Sequence, residues 1–330
     1  MKLGIIGSGV IVTDFLPKLV KMDDMEVVAV MDIPEAKEHL EQLCKENGVP
    51  HAVTDYSEFI KLDFDTIYVA VPNFLHYTYC KQGLQDGKNI IVEKPMCSTI
   101  REVEDLQRIA EERNLFLFEA ITTLHFDSYK KIKEWLPRIG TVKLVNCNYS
   151  QYSRRYNAFK EGNILPAFDP NKSGGALMDL NLYNLHFVMG LFGEPESATY
   201  YANIEKNIDT SGELILTYDG FVANCTAAKD CAAPPTYVIQ GTDGYIKTQY
   251  SPNLIGQVTL HFNDGSEETY DDGMAMNRLI PEFKDFIKII NRNDHSACDA
   301  YLNKSVAVSR VQTRARVNAG ILFPADKEEN

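Results

Sequence analysis

Lys2-Leu3-Gly4-Ile5-Ile6-Gly7-Ser8-Gly9-Val10-Ile11-Val12 opens the chain with an apolar strand, a glycine-spaced turn and the start of a helix. In that context Gly7 permits a tight turn, and Gly9 lets a pyrophosphate approach backbone N–H groups at the helix N-terminus. Ser8, Val10 and Ile11 complete the same cradle. Val12 stands where a third small residue is usual and predicts a crowded helix–strand contact. Asp32 ends the second apolar run, where it is placed to accept hydrogen bonds from adenosine ribose hydroxyls and to repel a 2′-phosphate. NAD is the expected cofactor. NADP is the less favoured alternative, since no arginine follows within the next few positions, although Lys37 reaches the same area. Capping of the helix that begins near Pro34 is a compatible second role for Asp32.

Working outward, the apolar runs 2–6, 26–31, 66–71, 89–92 and 115–118 alternate with stretches of helical spacing at 10–21, 34–47, 75–85 and 99–113. Near-continuous Val/Ile strands separated by helices predict a doubly wound parallel sheet, an α/β Rossmann domain over residues 1–120. Beyond it, helical patterns at 127–136, 176–192, 276–290 and 301–319 flank a β-rich stretch at 141–152 and several later strands. Asp-Gly pairs at 219–220, 243–244 and 264–265 supply the positive φ of tight hairpins. Residues 121–330 are therefore expected to form an α+β domain on an antiparallel sheet.

A formal net charge of −13 over 330 residues argues against nucleic acid or an anionic membrane as the main partner. Seven scattered cysteines, with no Cys-x-x-Cys pair, fit reduced thiols, and no His-Glu-x-x-His pattern marks a metal site. Glycines 4, 7 and 9 and the early Asp14 spoil a signal-peptide core, and no run reaches the length of a membrane span. The expected location is the cytoplasm.

Three further clusters lie downstream of the opening turn: Val71-Pro72-Asn73-Phe74-Leu75-His76, then Asn89-Ile90-Ile91-Val92-Glu93-Lys94-Pro95, then Gly174-Gly175-Ala176-Leu177-Met178-Asp179 with Tyr183. Lys94 sits at the carboxyl end of an apolar strand, where open α/β sheets bind ligands. Hydride transfer at an alcohol carbon requires a proton to leave or join the substrate oxygen. A lysine partly desolvated beside a positive nicotinamide has a lowered pKa suited to that task. The plainer reading makes Glu93 and Lys94 a solvated charge pair.

Together these motifs, with Glu119-Ala120 and Ala315-Arg316-Val317-Asn318-Ala319-Gly320, resemble the glucose–fructose oxidoreductase / inositol dehydrogenase / rhizopine catabolism family of dehydrogenases. The resemblance covers essentially the whole chain. It implies a C-terminal domain with a large, open-faced, mostly antiparallel sheet that forms a homodimer or homotetramer. It also implies that Pro72, Asn73 and His76 line the nicotinamide end of the cofactor site and that Lys94 is the catalytic candidate. Tyrosine at 183, where many relatives carry histidine, is similar to the dihydrodiol dehydrogenase branch.

Asp179 and Tyr183 share a helix face at i, i+4, and His186 neighbours them. An acid, a phenol and an imidazole on one stripe suit vicinal hydroxyls, with Tyr183 as acid/base partner of Lys94 and Asp179 orienting it or the substrate. Tyr183 and His186 as core aromatics are the alternative. Strand alternation sends Arg154 and Arg155 to opposite faces, so one of them at most faces the pocket, with Arg155 the candidate and surface charge the other reading. The expected activity is an NAD(P)-dependent oxidoreductase acting on a small polyhydroxylated substrate. A non-catalytic dinucleotide-binding sensor on the same fold is the rival.

Overall fold

In the computed structural model, which describes residues 1–273 and 277–327, the N-terminal part forms six parallel strands, five of them at the apolar runs. They are β1 (Lys2–Ile6), β2 (Glu26–Met31), β3 (His51–Val53), β4 (Thr66–Val69), β5 (Asn89–Glu93) and β6 (Leu117–Ala120). Their order is β3-β2-β1-β4-β5-β6, so the winding reverses between β1 and β4. Loops leaving the carboxyl ends of those two strands diverge and open a crevice there. The connections carry α1 (Val10–Leu19), α2 (Lys37–Asn47), α3 (Tyr56–Phe59), α4 (His76–Gln85) and α5 (Ile100–Arg113). Leu3, Ile5, Ile67, Ile90 and Ile91 are fully buried in the central strands, as sheets covered on both faces require.

Two elements here escape the sequence pattern. β3 is a three-residue edge strand with little burial, and α3 is one turn capped by Asp55, which accepts from Glu58 N at 3.1 Å. α5 instead announces itself, because Thr99 and Glu102 form a reciprocal capping box.

The second unit is built on an eight-stranded sheet. Its strands are β7 (Val142–Ser150), β8 (Ser197–Glu205), β9 (Ile208–Tyr218), β10 (Phe221–Ala228), β11 (Thr236–Gly241), β12 (Gly244–Thr248), β13 (Val258–Phe262) and β14 (Glu267–Tyr270). The order β14-β13-β12-β11-β7-β10-β9-β8 is antiparallel throughout except for the parallel pair β7–β10. Its helices include α6 (Asp127–Trp135), α7 (Arg154–Lys160) and α8 (Leu182–Phe192), of which α8 packs on β7 and β10. Outward positions of the sheet stay open. Tyr245, Gln240, Leu144 and Val222 occupy one cross-strand row, and Leu144 is 49% exposed.

Gly220 (φ +82°) and Gly265 (φ +89°) make the expected turns. Gly244 does not. Its Cβ would lie 2.2 Å from the His261 carbonyl oxygen, so a close strand approach rather than a turn selects glycine there. The β8–β9 turn uses Lys206 (φ +48°) and Asn207 (φ +66°), without glycine.

α9 (Ile280–Asn291) and α10 (His295–Asn318) finish the chain, and Met276, the expected start of the first of them, lies outside the described residues. The two units are Met1–Ala120 with Phe283–Asn303, and Ile121–Glu282 with Lys304–Asn330. A second domain running straight through 121–330 is thus corrected: Phe283–Asn303 belongs to the first unit. Phe283 packs edge-on to Phe15 at 5.3 Å and Tyr68 at 5.2 Å, and Phe286 meets Phe118 at 4.7 Å. Apolar spacing identifies a helix but not the sheet it covers. Among the described residues no helix is long and apolar enough to cross a membrane.

Replacing Phe283 by alanine is expected to destabilise the first unit by about 3–5 kcal/mol, the range for emptying a buried aromatic site. Urea unfolding checks this. A loss under about 1 kcal/mol, typical of surface positions, would contradict the assignment of this segment to the first core.

Candidate functional site

The crevice of the first unit begins at Gly7. With φ +105°, and with a Cβ that would lie 2.3 Å from the Ala70 carbonyl oxygen, the position admits only glycine without distortion. Gly9 differs: an added Cβ would meet nothing within 4 Å. That open space lies at the N-cap of α1, which has no side-chain cap and no acidic residue in its first turn, and Val10 is 71% exposed beside it. Free first-turn N–H groups, a positive dipole end and an uncovered floor fit a dinucleotide pyrophosphate. Val12 is fully buried, so the third position of the motif serves packing.

Asp32 is docked onto this turn. Its Oδ2 accepts from Ser8 N at 2.6 Å and Ser8 Oγ at 2.5 Å, while Oδ1 accepts from Ile33 N at 2.7 Å. A carboxylate oxygen has two acceptor directions, and these contacts leave room at Oδ1 for a ribose hydroxyl. The capping role is not found, since Ile33 is the N-cap of the short helix Pro34–Ala36 and no side chain caps it.

Pro72 and Asn73 lead into a 3-10 turn ahead of α4. His76, expected on the wall of the cofactor site, is 1% exposed and lies beneath the loops instead. Its Nδ1 lies 2.8 Å from the Pro95 carbonyl oxygen and its Nε2 2.8 Å from that of Val71. One ring thus bridges the loop after β4 and the loop after β5, donating to one of them when neutral. Burial pushes the His76 imidazole below its ordinary pKa, and the two carbonyls with the Glu93 and Glu119 carboxylates pull against it. Glu93 accepts from the Tyr68 hydroxyl, and Glu119 Oε1 accepts from Met96 N at 2.8 Å. Both carboxylates thus brace the segment that carries half-buried Lys94.

In the second unit the Gly-Gly motif is explained by crowding. A Cβ on Gly174 would lie 2.6 Å from Pro166 O, and one on Gly175 (φ +108°) would lie 2.1 Å from Asp209 Oδ1. Asp209 Oδ2 accepts from Leu177 N at 2.6 Å and from the Tyr200 hydroxyl at 2.8 Å, pinning the helix start. The single α-helix expected over 176–192 is corrected: Leu177–Asn181 is a π turn and α8 continues from it. Asp179 therefore lies in the π turn and Tyr183 in the first α turn. Such π insertions recur at functional sites.

Asp179 keeps 34% of its side chain exposed, whereas Tyr183 is 5% exposed with its ring edge-on to Tyr149 at 5.9 Å. His186, 1% exposed, lies in the core rather than on an accessible stripe. Arg154 and Arg155 are not on a strand. They open α7, capped by Ser153 Oγ, which accepts from Arg155 N at 3.3 Å. Both line a cavity of about 350 Å³ together with Asp179 and Lys229. Lys229 and Asp209 carry no motif. The only sequence signal for Lys229 is the one that marks Lys94, a lysine directly after an apolar strand.

Burial pushes the Asp209 carboxyl up to about 6, although Leu177 N, the Tyr200 hydroxyl and Lys229 act to lower it. A carboxyl that holds its proton more tightly in the fold than at its ordinary 3.8 contributes stability that is lost as pH rises from 3.8 to about 6. Asp209→Asn removes that titration while keeping an acceptor for Leu177 N. The urea midpoint of the variant, relative to the unsubstituted protein, is expected to rise between pH 4 and pH 7. A constant or falling difference would contradict the assignment.

The chain matches the model of an oxidoreductase family with an NAD-binding Rossmann fold over residues 1–120, and a GFO/IDH/MocA C-terminal domain over residues 129–247. It is 31% identical to the NADP(+)-dependent scyllo-inositol 2-dehydrogenase of Bacillus subtilis, with 99% of each chain covered. It is also 31% identical to a trans-1,2-dihydrobenzene-1,2-diol dehydrogenase of Xenopus tropicalis, over 82% of this chain and 81% of the relative. A 3-ketoreductase from Actinomadura kijaniata, solved with NADP and TDP-benzene, shares the fold at TM-score 0.83 and 20% identity, covering 98% of this chain and 99% of that one. Matched in both halves and along nearly its full length, the chain belongs to the GFO/IDH/MocA family of NAD(P)-dependent oxidoreductases.

Proposed function

We propose that this enzyme moves a hydride between nicotinamide and a carbinol or carbonyl carbon of a small polyhydroxylated substrate: an aldose, a polyol, an inositol or a vicinal diol. The observation that carries the reading is the placement of Lys94 directly after β5, beside the β4 loop and the β1–β4 crevice whose Gly9 floor fits a pyrophosphate. When bound, the dinucleotide supplies the hydride acceptor or donor. Gly7, Ser8, Gly9, Val10 and Ile11 hold its pyrophosphate, and Asp32 holds its ribose. Pro72, Asn73 and Glu93 belong to the nicotinamide end, with His76 fixing the loops from below. In the oxidative direction the substrate hydroxyl proton passes to Lys94, with Tyr183 as acid/base partner, while the carbinol C–H leaves as hydride. Asp179 accepts a neighbouring hydroxyl, and Arg155 walls the pocket.

We further propose NAD as the preferred cofactor, because the Asp32 carboxylate faces the ribose end and no arginine follows it. The relative in Bacillus subtilis uses NADP(+), so this preference belongs to the test. A cytoplasmic setting fits the seven unpaired thiols, of which only Cys231 is exposed.

Fluorescence titration with NADH and NADPH, followed by absorbance at 340 nm against aldoses, polyols, inositols and trans-diols, tests the proposal. Tighter NADH binding and turnover that falls at least ~100-fold in Lys94→Ala, with cofactor binding retained, are expected. Tight binding with silence in both reaction directions would favour the sensor instead.

The open row of Leu144, Val222 and Tyr245 supports a homo-oligomer formed through the second sheet. Light scattering is expected to show at least a dimer, and Leu144→Glu combined with Val222→Glu is expected to give monomers. A monomeric unsubstituted protein would refute this assembly.

A further inference from the structure

We propose that Lys229 is a positioning residue, whose buried ammonium fixes the Asp179 carboxylate on the wall of the 350 Å³ cavity so that it presents a fixed acceptor to a substrate hydroxyl. The proposal rests on the reading of Asp179 as a substrate-binding residue.

Lys229 comes directly after the last residue of β10 and is pinned on both sides. Its N donates to Thr210 O at 2.8 Å, and its carbonyl accepts from Ser153 N at 2.8 Å. The side chain turns inward and is 2% exposed, against 34% for Asp179. Nζ donates to Asp179 Oδ2 and to Ala167 O, each at 2.8 Å, and lies 4.8 Å from the centre of the Phe168 ring. Ala167 O also accepts from Gly175 N at 3.1 Å. One ammonium therefore joins the segment around Phe168, the Gly-Gly motif and the acidic residue of the π turn.

The asymmetry of exposure is the argument. An ammonium withdrawn from water is costly unless it is paired, and an apolar side chain of similar length would fill the same space without that cost. The partner is the group that faces the cavity. The pair is thus built to hold the carboxylate, with the cation behind it and the acceptor in front. Charge-assisted hydrogen bonds of this kind are short and directional, and they restrict the carboxylate to one orientation. A free carboxylate in a π turn has several rotamers, and a substrate must select one at an entropic cost.

The test has two arms, using Lys229→Met, Lys229→Arg, Asp179→Asn and the double variant Lys229→Met/Asp179→Asn. In urea unfolding, the double variant is expected to shift the midpoint by less than the sum of the single shifts, because removing Asp179 alone strands a buried cation. Additive shifts would overturn the pair. In steady-state kinetics on whichever polyol of the panel the enzyme turns over, Lys229→Met is expected to raise KM about tenfold or more. NADH binding stays unchanged, and Lys229→Arg recovers part of the loss. A KM unchanged in Lys229→Met, or no recovery in Lys229→Arg while both variants fold, would overturn the positioning role. Silence of the unsubstituted enzyme across the panel, with non-additive midpoints, would sink the reaction reading and leave the Lys229–Asp179 pair standing.

Discussion

Everything in the first unit depends on one close approach: the Ala70 carbonyl lies where any side chain on Gly7 would have to be. β1 and β4 are neighbours in the sheet, yet their chains leave toward opposite ends of it. With no Cβ between them, the turn after β1 stays tight and α1 starts at once, presenting unsatisfied N–H groups to the crevice. Ser8, held by Asp32, sets the floor of that turn. Gly9 then plays a different part from Gly7. The protein itself does not crowd a side chain there, so close packing selects Gly7 but not Gly9.

The second unit repeats this logic with different materials. Gly174 and Gly175 are squeezed between the 166–167 backbone and Asp209, and the start of the π turn is bonded to that same carboxyl. A glycine pair lets the backbone come close, and a buried polar group then locks it in place. Both units also put a lysine immediately after an apolar strand, Lys94 after β5 and Lys229 after β10. The two strands differ in setting. β5 lies inside a fully parallel sheet, whereas β10 belongs to the one parallel pair of a sheet that is otherwise antiparallel. After β10 the pairing with the β7 chain runs on, since Gln151 N donates to Ala228 O at 2.9 Å and Ser153 N to Lys229 O at 2.8 Å. Lys229 is thus held by that pairing, whereas Lys94 stands at a loop.

Much of the architecture was legible because it rests on local physics. Buried β-branched runs, the Thr99 capping box and the Asp-Gly turns at 219–220 and 264–265 declare themselves in the sequence. Elements without such physics stayed hidden. β3 has no apolar run, and Lys206-Asn207 turns without glycine. Long-range choices were also hidden, as in the attachment of Phe283 to the first sheet and the helix that carries Arg154 and Arg155. The same divide runs through the site. Gly7, Asp32 and Asp179 belong to short motifs that the sequence displays, whereas Lys229 and Asp209 act across 50 and 32 residues of chain and leave only their pairing in space as a signal.

His76, Asp209 and Lys229 share one property that separates them from the surrounding core: each is a buried ionisable group that binds two or more backbone or side-chain partners from different segments. Apolar side chains would cover the same area at lower cost, since desolvating a polar group is repaid only by well-made hydrogen bonds. Apolar contact, however, tolerates sliding, whereas a hydrogen bond of 2.8 Å fixes both distance and direction. In the first unit such bonds hold the loops after β4 and β5, and in the second they hold the start of the π turn and the Asp179 carboxylate. These three buried polar groups therefore fix position, and the apolar core around them carries the stability.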